Sequence, residues 1–374
     1  MKKFVPLVSG RRRGVAAGVV LAAAASLTLT ACAGSATPSG SSSGSGAAGG
    51  GKIAVTLITK TSTNPFFLAM KKGAEDEAAK DGVTLTYAAG AQDGDEDGQI
   101  KAIEAAVARG DKGILITVNG PGVNSAIEQA RKQGLYVIAL DTPPDPADTV
   151  DLTIATNNFQ AGQEIGKWAA AKQAGKPANI ALLDLYNDKV VSVDYGRDQG
   201  FLTGMGIDTK DVKKNGDEDK SGSYTGGKGG TYTIACNEPT QGAQDQGKSA
   251  METCLSKTKD INLVYTINEP AAAGAAEALK AAGVTATIVS VDGGCSPGVA
   301  DVKAGIIGAT AQQYPVKMAQ LGVQAIKTIA DGGPKPAVSP GLTFLDAGVA
   351  LVTDKPVDGD QSITSDAASK ICWG

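Results

Sequence analysis

From residue 52 onward, short apolar runs alternate with longer segments whose apolar residues recur at every third or fourth position. The runs 53–59 (IAVTLIT), 83–89, 113–117 (GILIT), 135–140 (LYVIAL), 179–185 (NIALLDL), 261–267 (INLVYTI) and 286–291 (ATIVSV) read as strands. Between them, residues 65–81, the stretch carrying Ile100, Ile103 and Val107, and a segment ending at Gln133 read as helices, since those spacings gather side chains on one helical face. Near-continuous apolar strands separated by helices predict an α/β fold whose parallel sheets are covered on both faces. Ligands of such sheets bind beyond the carboxyl ends of the strands.

Polar residues collect at those ends. Asp141 follows LYVIAL, Asn268 and Glu269 follow INLVYTI, Asp292 follows ATIVSV, and Gln312 and Gln313 follow the strand-like GIIGATA. Asn64 precedes Pro65 in an arrangement favoured at helix starts. Phe66 and Phe67 come next and stand out in a chain with only 4% aromatic residues. Each polar residue alone reads as a cap or turn; their recurrence at the same end of successive strands predicts a cleft lined by Asp, Asn, Gln and Arg. That set suits a polyol, because vicinal hydroxyls match bidentate carboxylate, amide and guanidinium groups, while phenyl rings cover the C–H face of a sugar.

Residues 1–31 read as an export leader, with Lys2, Lys3, Arg11, Arg12 and Arg13 ahead of an apolar run from Val15 to Leu29 that is too short for a comfortable membrane span. The run closes on Leu29-Thr30-Ala31-Cys32, which is similar to a bacterial lipobox and implies cleavage before Cys32 and acylation of its sulfur. Residues 32–51, rich in Gly and Ser and free of charge, are expected to act as a flexible tether. The expected location is therefore extracytoplasmic, with the protein held at the membrane by lipid on Cys32.

Loss of the leader removes five cations and no anion, taking the formal charge from −4 to −9. That excludes a generic nucleic-acid binder, which needs a basic face. The 343 residues that remain exceed what one core comfortably holds and suggest two domains. The chain contains no histidine, which excludes His-dependent catalytic triads and the common His-ligated zinc sites. Four cysteines remain beyond Cys32, namely Cys236, Cys254, Cys295 and Cys372. In an exported protein they favour disulfides; of three connectivities, Cys236–Cys254 with Cys295–Cys372 is preferred.

With these residues in view, the chain resembles the ribose-type (type I) periplasmic solute-binding proteins of sugar ABC importers across residues 52–352. The resemblance rests on Asn64-Pro65-Phe66-Phe67, VIALD ending at Asp141, GRDQGF with Arg197, YTINEP around Asn268, SVDGG around Asp292 and ATAQQYP around Gln313. TINEPAAAGA, VDGGC and ALDTP are most similar to the fructose-binding branch. The resemblance implies two Rossmann-like lobes with parallel sheets, residues 52–156 plus 314–347 and residues 157–313 plus 348–374, joined by a hinge of three crossings near 156, 313 and 348. It implies sugar contacts at Asn64, Phe66, Phe67, Asp141, Arg197, Asn268, Asp292 and Gln313, with Lys60 and Asn119 as neighbours. It further implies a monomer that hands a monosaccharide to permease subunits, with no cofactor, no metal and no enzymatic turnover. A receptor presenting sugar to a membrane kinase or chemoreceptor would carry a similar cleft. Thr142 stands where ribose binders carry Arg, and Gly242-Ala243 where they carry a stacking aromatic, which points away from ribose itself.

Three segments need separate treatment. Gly242–Ser249 (GAQDQGKS) fits the phosphate-loop pattern, but an exported protein meets little ATP, so an ordinary cleft loop is expected. Asp93–Glu104 fits a calcium-loop pattern, though a strand precedes it where a helix should, so an acidic helix start is expected. Residues 208–231, charged and glycine-rich, read as a surface-loop insertion in the second lobe.

Overall fold

The structure, a computed structural model, describes residues 52–374; the leader, Cys32 and the tether lie outside the described residues. The chain starts with β1 (Ala54–Thr59), α1 (Pro65–Asp81), β2 (Thr84–Ala89), α2 (Glu96–Arg109), β3 (Gly113–Ile116), α3 (Asn124–Lys132), β4 (Tyr136–Leu140) and β5 (Leu152–Ala155). It continues through α4 (Asn158–Gln173), β6 (Ala178–Asp184), α5 (Ser192–Met205), β7 (Ser221–Tyr224), β8 (Gly230–Pro239), α6 (Gln244–Lys257), β9 (Leu263–Thr266), α7 (Glu269–Ala282), β10 (Thr287–Asp292), α8 (Ala300–Ala304) and β11 (Ala309–Gln312). Last come α9 (Pro315–Ala330), β12 (Leu345–Asp346), β13 (Ala350–Val352), β14 (Ser362–Ile363) and α10 (Ser365–Ala368).

The strands form two sheets. The first runs β12-β5-β4-β3-β1-β2 and is parallel throughout. The second runs β14-β13-β11-β10-β9-β6-β8-β7, with antiparallel pairing only for β11 with β13 and β7 with β8. The inner strands repeat one winding: β2-β1-β3-β4-β5 in the first sheet corresponds to β8-β6-β9-β10-β11 in the second. The chain passes between sheets from β5 to α4, from β11 to α9 and from β12 to β13. Two of these passages are tied together where the Thr156 hydroxyl donates to the Gly348 carbonyl at 3.0 Å.

Apolar strands dictate this layering. Ile114, Leu115, Ile116, Val137, Ile138 and Leu140 are wholly buried, their side chains alternating between helical layers on opposite faces. Local signals set the helix ends. Asn64 Oδ1 accepts from the Phe66 amide at 2.9 Å, Pro65 occupies the first turn, and Gly82 terminates α1 with φ of 69°. The cysteines pair as Cys236–Cys254 and Cys295–Cys372.

The stretch 208–231 is more ordered than a loop insertion. Ser221–Tyr224 adds an antiparallel edge strand to β8, and the Tyr224 and Tyr232 rings are buried. Short alternation among Gly and Ser hid that strand, because small residues give no apolar period.

Candidate functional site

In both sheets the winding reverses direction beside the first strand, between β1 and β3 and between β6 and β9. A crevice at the carboxyl ends of strands at such a reversal is where open α/β sheets bind ligands. Here the two crevices face each other and enclose one polar cavity. The first lobe lines it with Lys60, Asn64, Phe66, Phe67, Asp93 and Asp141. The second lobe contributes Leu185, Val193, Arg197, Ile267, Asn268 and Asp292.

Arg197 is central to the charge arrangement. It projects from α5, whose backbone approaches α4 so closely that a Cβ on Gly162 would lie 2.2 Å from the Arg197 carbonyl oxygen. Its Nε donates to Asn158 Oδ1 and its Nη1 to the Ile267 carbonyl, both at 2.8 Å. Thus fixed, the guanidinium stands 3.6 Å from Asp141 on the facing lobe and 3.6 Å from Asp292 on its own. Asp141 follows β4 and Asp292 ends the corresponding strand β10, and both adopt positive φ, 62° and 134°. Such backbone is unfavourable for residues with a Cβ and gathers where surrounding structure enforces it at functional sites.

Burial pushes Asp292 up to about 7, against the pull of Arg197 and of the Gln313 amide, which donates to Asp292 Oδ1 at 3.0 Å. Beneath it, buried Glu269 accepts from the amides of Gly293 and Gly294 and from the Thr310 hydroxyl. Burial, followed by the Asp292 charge, raises Glu269 to about 8. Asp141 Oδ2 accepts from Thr142, whereas Asp141 Oδ1 is buried without a hydrogen-bond partner. Asn268 caps α7 through the Ala271 amide and donates to the Gly242 carbonyl.

The lobes also touch beside the cavity. The Tyr186 hydroxyl donates to Asp93 Oδ1 at 3.1 Å, Lys189 Nζ donates to the Gly94 carbonyl at 3.1 Å, and Ser192 donates to the Pro143 carbonyl. Lys60 Nζ lies 3.9 Å from Asp93 Oδ1, and burial of Asp93 raises its carboxyl despite that neighbour.

Residues 53–334 match the periplasmic binding protein domain family. The chain belongs to that family. The ribose import binding protein of Salmonella typhimurium is 25% identical over 282 residues, covering 75% of this chain and 86% of the relative. The D-apiose import binding protein of Actinobacillus succinogenes is 30% identical over 281 residues, covering 74% and 82%. Among solved structures, a Caulobacter myo-inositol binding protein bound to myo-inositol superposes with a TM-score of 0.67 at 22% identity, covering 82% of this chain and 94% of that one. The two parallel-sheet lobes are those of type I periplasmic binding proteins, and these relatives bind solutes for import rather than catalysing a reaction.

In this binding protein, nine of the sequence-predicted positions meet at the cavity or at the carboxylates lining it: Lys60, Asn64, Phe66, Phe67, Asp141, Arg197, Asn268 and Asp292 line it directly, and Gln313 holds Asp292 from behind. Asn119 does not line the cavity. Its side chain accepts from the Gly94 amide and donates to the Asp95 carbonyl, so it holds the loop that carries Asp93. Asp93, expected only as part of an acidic helix start, also lines the cavity; the run of carboxylates around it masks that role in the sequence. Leu185, Val193 and Ile267 escaped because an aliphatic cleft residue looks like any core residue; ring faces in the lining come from Phe66 and Phe67 alone.

The two motif look-alikes serve packing and capping. In the phosphate-loop pattern, Gly247 lets α6 press on α7, since a Cβ there would lie 2.5 Å from the Ala271 oxygen. Lys248 reaches Glu277, 3.4 Å away. In the calcium-loop pattern, Asp93 turns into the cleft, Asp95 caps α2 by accepting from the amides of Ala91 and Gly98, and Glu104 is exposed. Among the described residues, no three His, Cys, Asp or Glu side chains stand together to hold an ion.

Proposed function

We propose that this protein is the lipid-anchored, extracytoplasmic binding component of a sugar ABC importer, taking a monosaccharide, with fructose the first candidate, between its lobes. The observation that carries this reading is the guanidinium of Arg197 set between two strand-end aspartates, 3.6 Å from each, in a cavity also lined by Phe66 and Phe67. That spacing leaves room for hydroxyls that donate to a carboxylate while accepting from the guanidinium. The buried, unpartnered Oδ1 of Asp141 is an acceptor that a sugar hydroxyl satisfies. Lys60, Asn64 and Asn268 complete the polar lining with Gln313 holding Asp292 from behind, and the phenyl rings cover the apolar sugar face. Relatives named for ribose and D-apiose import support the substrate class. The fructose assignment rests on TINEPAAAGA, VDGGC and ALDTP, and the membrane anchor on the lipobox-like sequence ending at Cys32.

The test is thermal unfolding of residues 52–374 against fructose, ribose, xylose, galactose and inositol. A ligand that binds only the native state raises the midpoint by mass action. A selective rise with fructose supports the full reading, and a rise with another member of the panel corrects the ligand. No rise with any of them overturns the sugar assignment. Mass spectrometry of the membrane-extracted protein checks the anchor: an N-terminal acylated Cys32 is expected, and an intact leader or an unmodified Cys32 refutes it.

A further inference from the structure

The last residues of the chain contact the cleft from behind. Ala368 and Cys372 pack in the second lobe's core, yet the next side chain, Trp373, lies in the first lobe's core cluster with Phe66 and Phe67. Its ring meets that of Phe66 edge to face, with centroids 5.4 Å apart and planes at 84°. Its indole N–H donates to the Gln313 carbonyl at 3.0 Å, and the Gln313 amide in turn holds Asp292. Trp373 therefore supports an aromatic wall of one lobe and a carboxylate of the other.

Its own position is fixed by the loop that bears Asp292. The Cys295 amide donates to the Trp373 carbonyl at 2.8 Å, Gly294 and Trp373 form a parallel bridge, and Cys295 is joined to Cys372. A Cβ on Gly294 would lie 3.1 Å from the indole, so the ring is seated directly against this loop.

We infer that Trp373 is a positioning residue for the ligand cleft, held against Phe66 and Gln313 by the Cys295–Cys372 disulfide, so that loss of either the indole or this disulfide weakens ligand binding. The inference rests on the cleft being the sugar site. Edge-to-face packing restricts the orientation of Phe66, and a ring already oriented loses less freedom when ligand arrives. The indole N–H holds the Gln313 backbone at a crossing between lobes, which keeps the Gln313 amide on Asp292.

The chain has two tryptophans, and the other, Trp168, is buried in the second lobe with its N–H on the Lys355 carbonyl. A Trp168→Phe variant therefore makes Trp373 the sole indole reporter. The experiment titrates this variant with the sugar identified by thermal unfolding, following both fluorescence and heat. In the same background it compares Trp373→Phe by calorimetry alone, Trp373→Ala, Cys295→Ser with Cys372→Ser, and, as a control for loss of a disulfide, Cys236→Ser with Cys254→Ser.

The expected results are a saturable change in Trp373 emission and a dissociation constant raised roughly tenfold by Trp373→Ala and by loss of Cys295–Cys372. The Cys236–Cys254 control is expected to stay within about threefold of the parent, and Trp373→Phe to fall between the parent and Trp373→Ala, since phenyl retains the edge contact with Phe66 and loses the hydrogen bond to Gln313. A sugar-binding parent whose affinity is unchanged by Trp373→Ala overturns the positioning role and leaves the sugar site standing. Equal weakening by both disulfide pairs also overturns it, because that points to general destabilisation. A parent that binds no sugar in either readout removes the site, and this inference with it.

Discussion

Arg197 Nη2 stands 3.6 Å from Asp141 Oδ1 across the cleft, beyond direct hydrogen-bond length and within strong attraction. The same guanidinium holds the same distance from Asp292 on its own lobe, so one cation faces two carboxylates on corresponding strands. On the proposed function, such a group would orient ligand and balance charge at once. Replacing Arg197 with Ala leaves buried anions uncompensated, a change that costs about 3–5 kcal/mol in comparable buried pairs. The expected outcome is loss of sugar affinity by roughly 100-fold or more, together with a lower unfolding midpoint. Calorimetric titration and thermal unfolding of Arg197→Ala check both; near-parent affinity would displace Arg197 from the ligand site.

The legible part of this site was its strand-end chemistry. Asp141, Asn268 and Asp292 each follow an apolar strand, so burial pattern and polarity together mark the rim. Asp93 offered no such contrast, because four other carboxylates lie within the same twelve residues. Asn119 shows a different limit: it stands at the rim, but its amide is used by backbone partners that no spacing reveals. Trp373 is the clearest limit. Its partner Phe66 lies some three hundred residues earlier in the sequence, and only the tertiary path through Cys295 brings the two rings together. The parallel strands were readable because burial on both faces makes them uniformly apolar; the edge strand Ser221–Tyr224 was not, since only its terminal Tyr224 is buried.

The acids behind the cleft give opposite pH responses for stability and for binding. Burial raises Asp194 to about 6, Asp292 to about 7 and Glu269 to about 8. A carboxyl whose folded value is raised contributes stability that is present below its ordinary value near 4 and is lost as pH climbs through the folded value. These groups therefore lower the stability of the ligand-free protein between about pH 4 and 8. On the proposed function, sugar hydroxyls would donate to ionised Asp292, which is flanked by Arg197, Asp141 and Lys60, so binding would favour the ionised form. Affinity is then expected to rise about tenfold between pH 6 and 8, with proton release on binding. Denaturant unfolding without ligand and calorimetry in buffers of different ionisation enthalpy measure the two trends; affinity that falls over this interval contradicts the role of Asp292.

The buried Cys236–Cys254 disulfide closes a short loop, with a sequence separation of 18, between β8 and α6, and neither cysteine lines the cavity. Chain-entropy considerations give a loop of this length about 3 kcal/mol of stabilisation. Replacing both cysteines with Ser is expected to lower the midpoint and the unfolding free energy while leaving sugar affinity near the parent value. Denaturant titration beside calorimetry makes the comparison. A large loss of affinity in this variant would mean that β8 and α6 shape the cleft more than their position indicates.

Closure is the remaining contribution to affinity, and Tyr186 is where it is most accessible to test. Its hydroxyl spans the lobes to Asp93 Oδ1, and Lys189 Nζ reaches the Gly94 carbonyl beside it. These contacts exist only when the lobes are together, so they bias the protein toward the form that surrounds ligand. Removing the hydroxyl with Tyr186→Phe keeps the ring and its packing and deletes one inter-lobe hydrogen bond, worth about 1 kcal/mol. Weakening the closed form that surrounds ligand lowers its population relative to the open complex, so a fall in apparent affinity of several-fold is expected. Because the contact forms after ligand has entered the open cleft, the loss should lie in faster release with the association rate little changed. Stopped-flow mixing separates the two rates. A slower association with unchanged release would instead place Tyr186 in ligand capture, and make the Tyr186–Asp93 bond part of the entrance rather than the clasp.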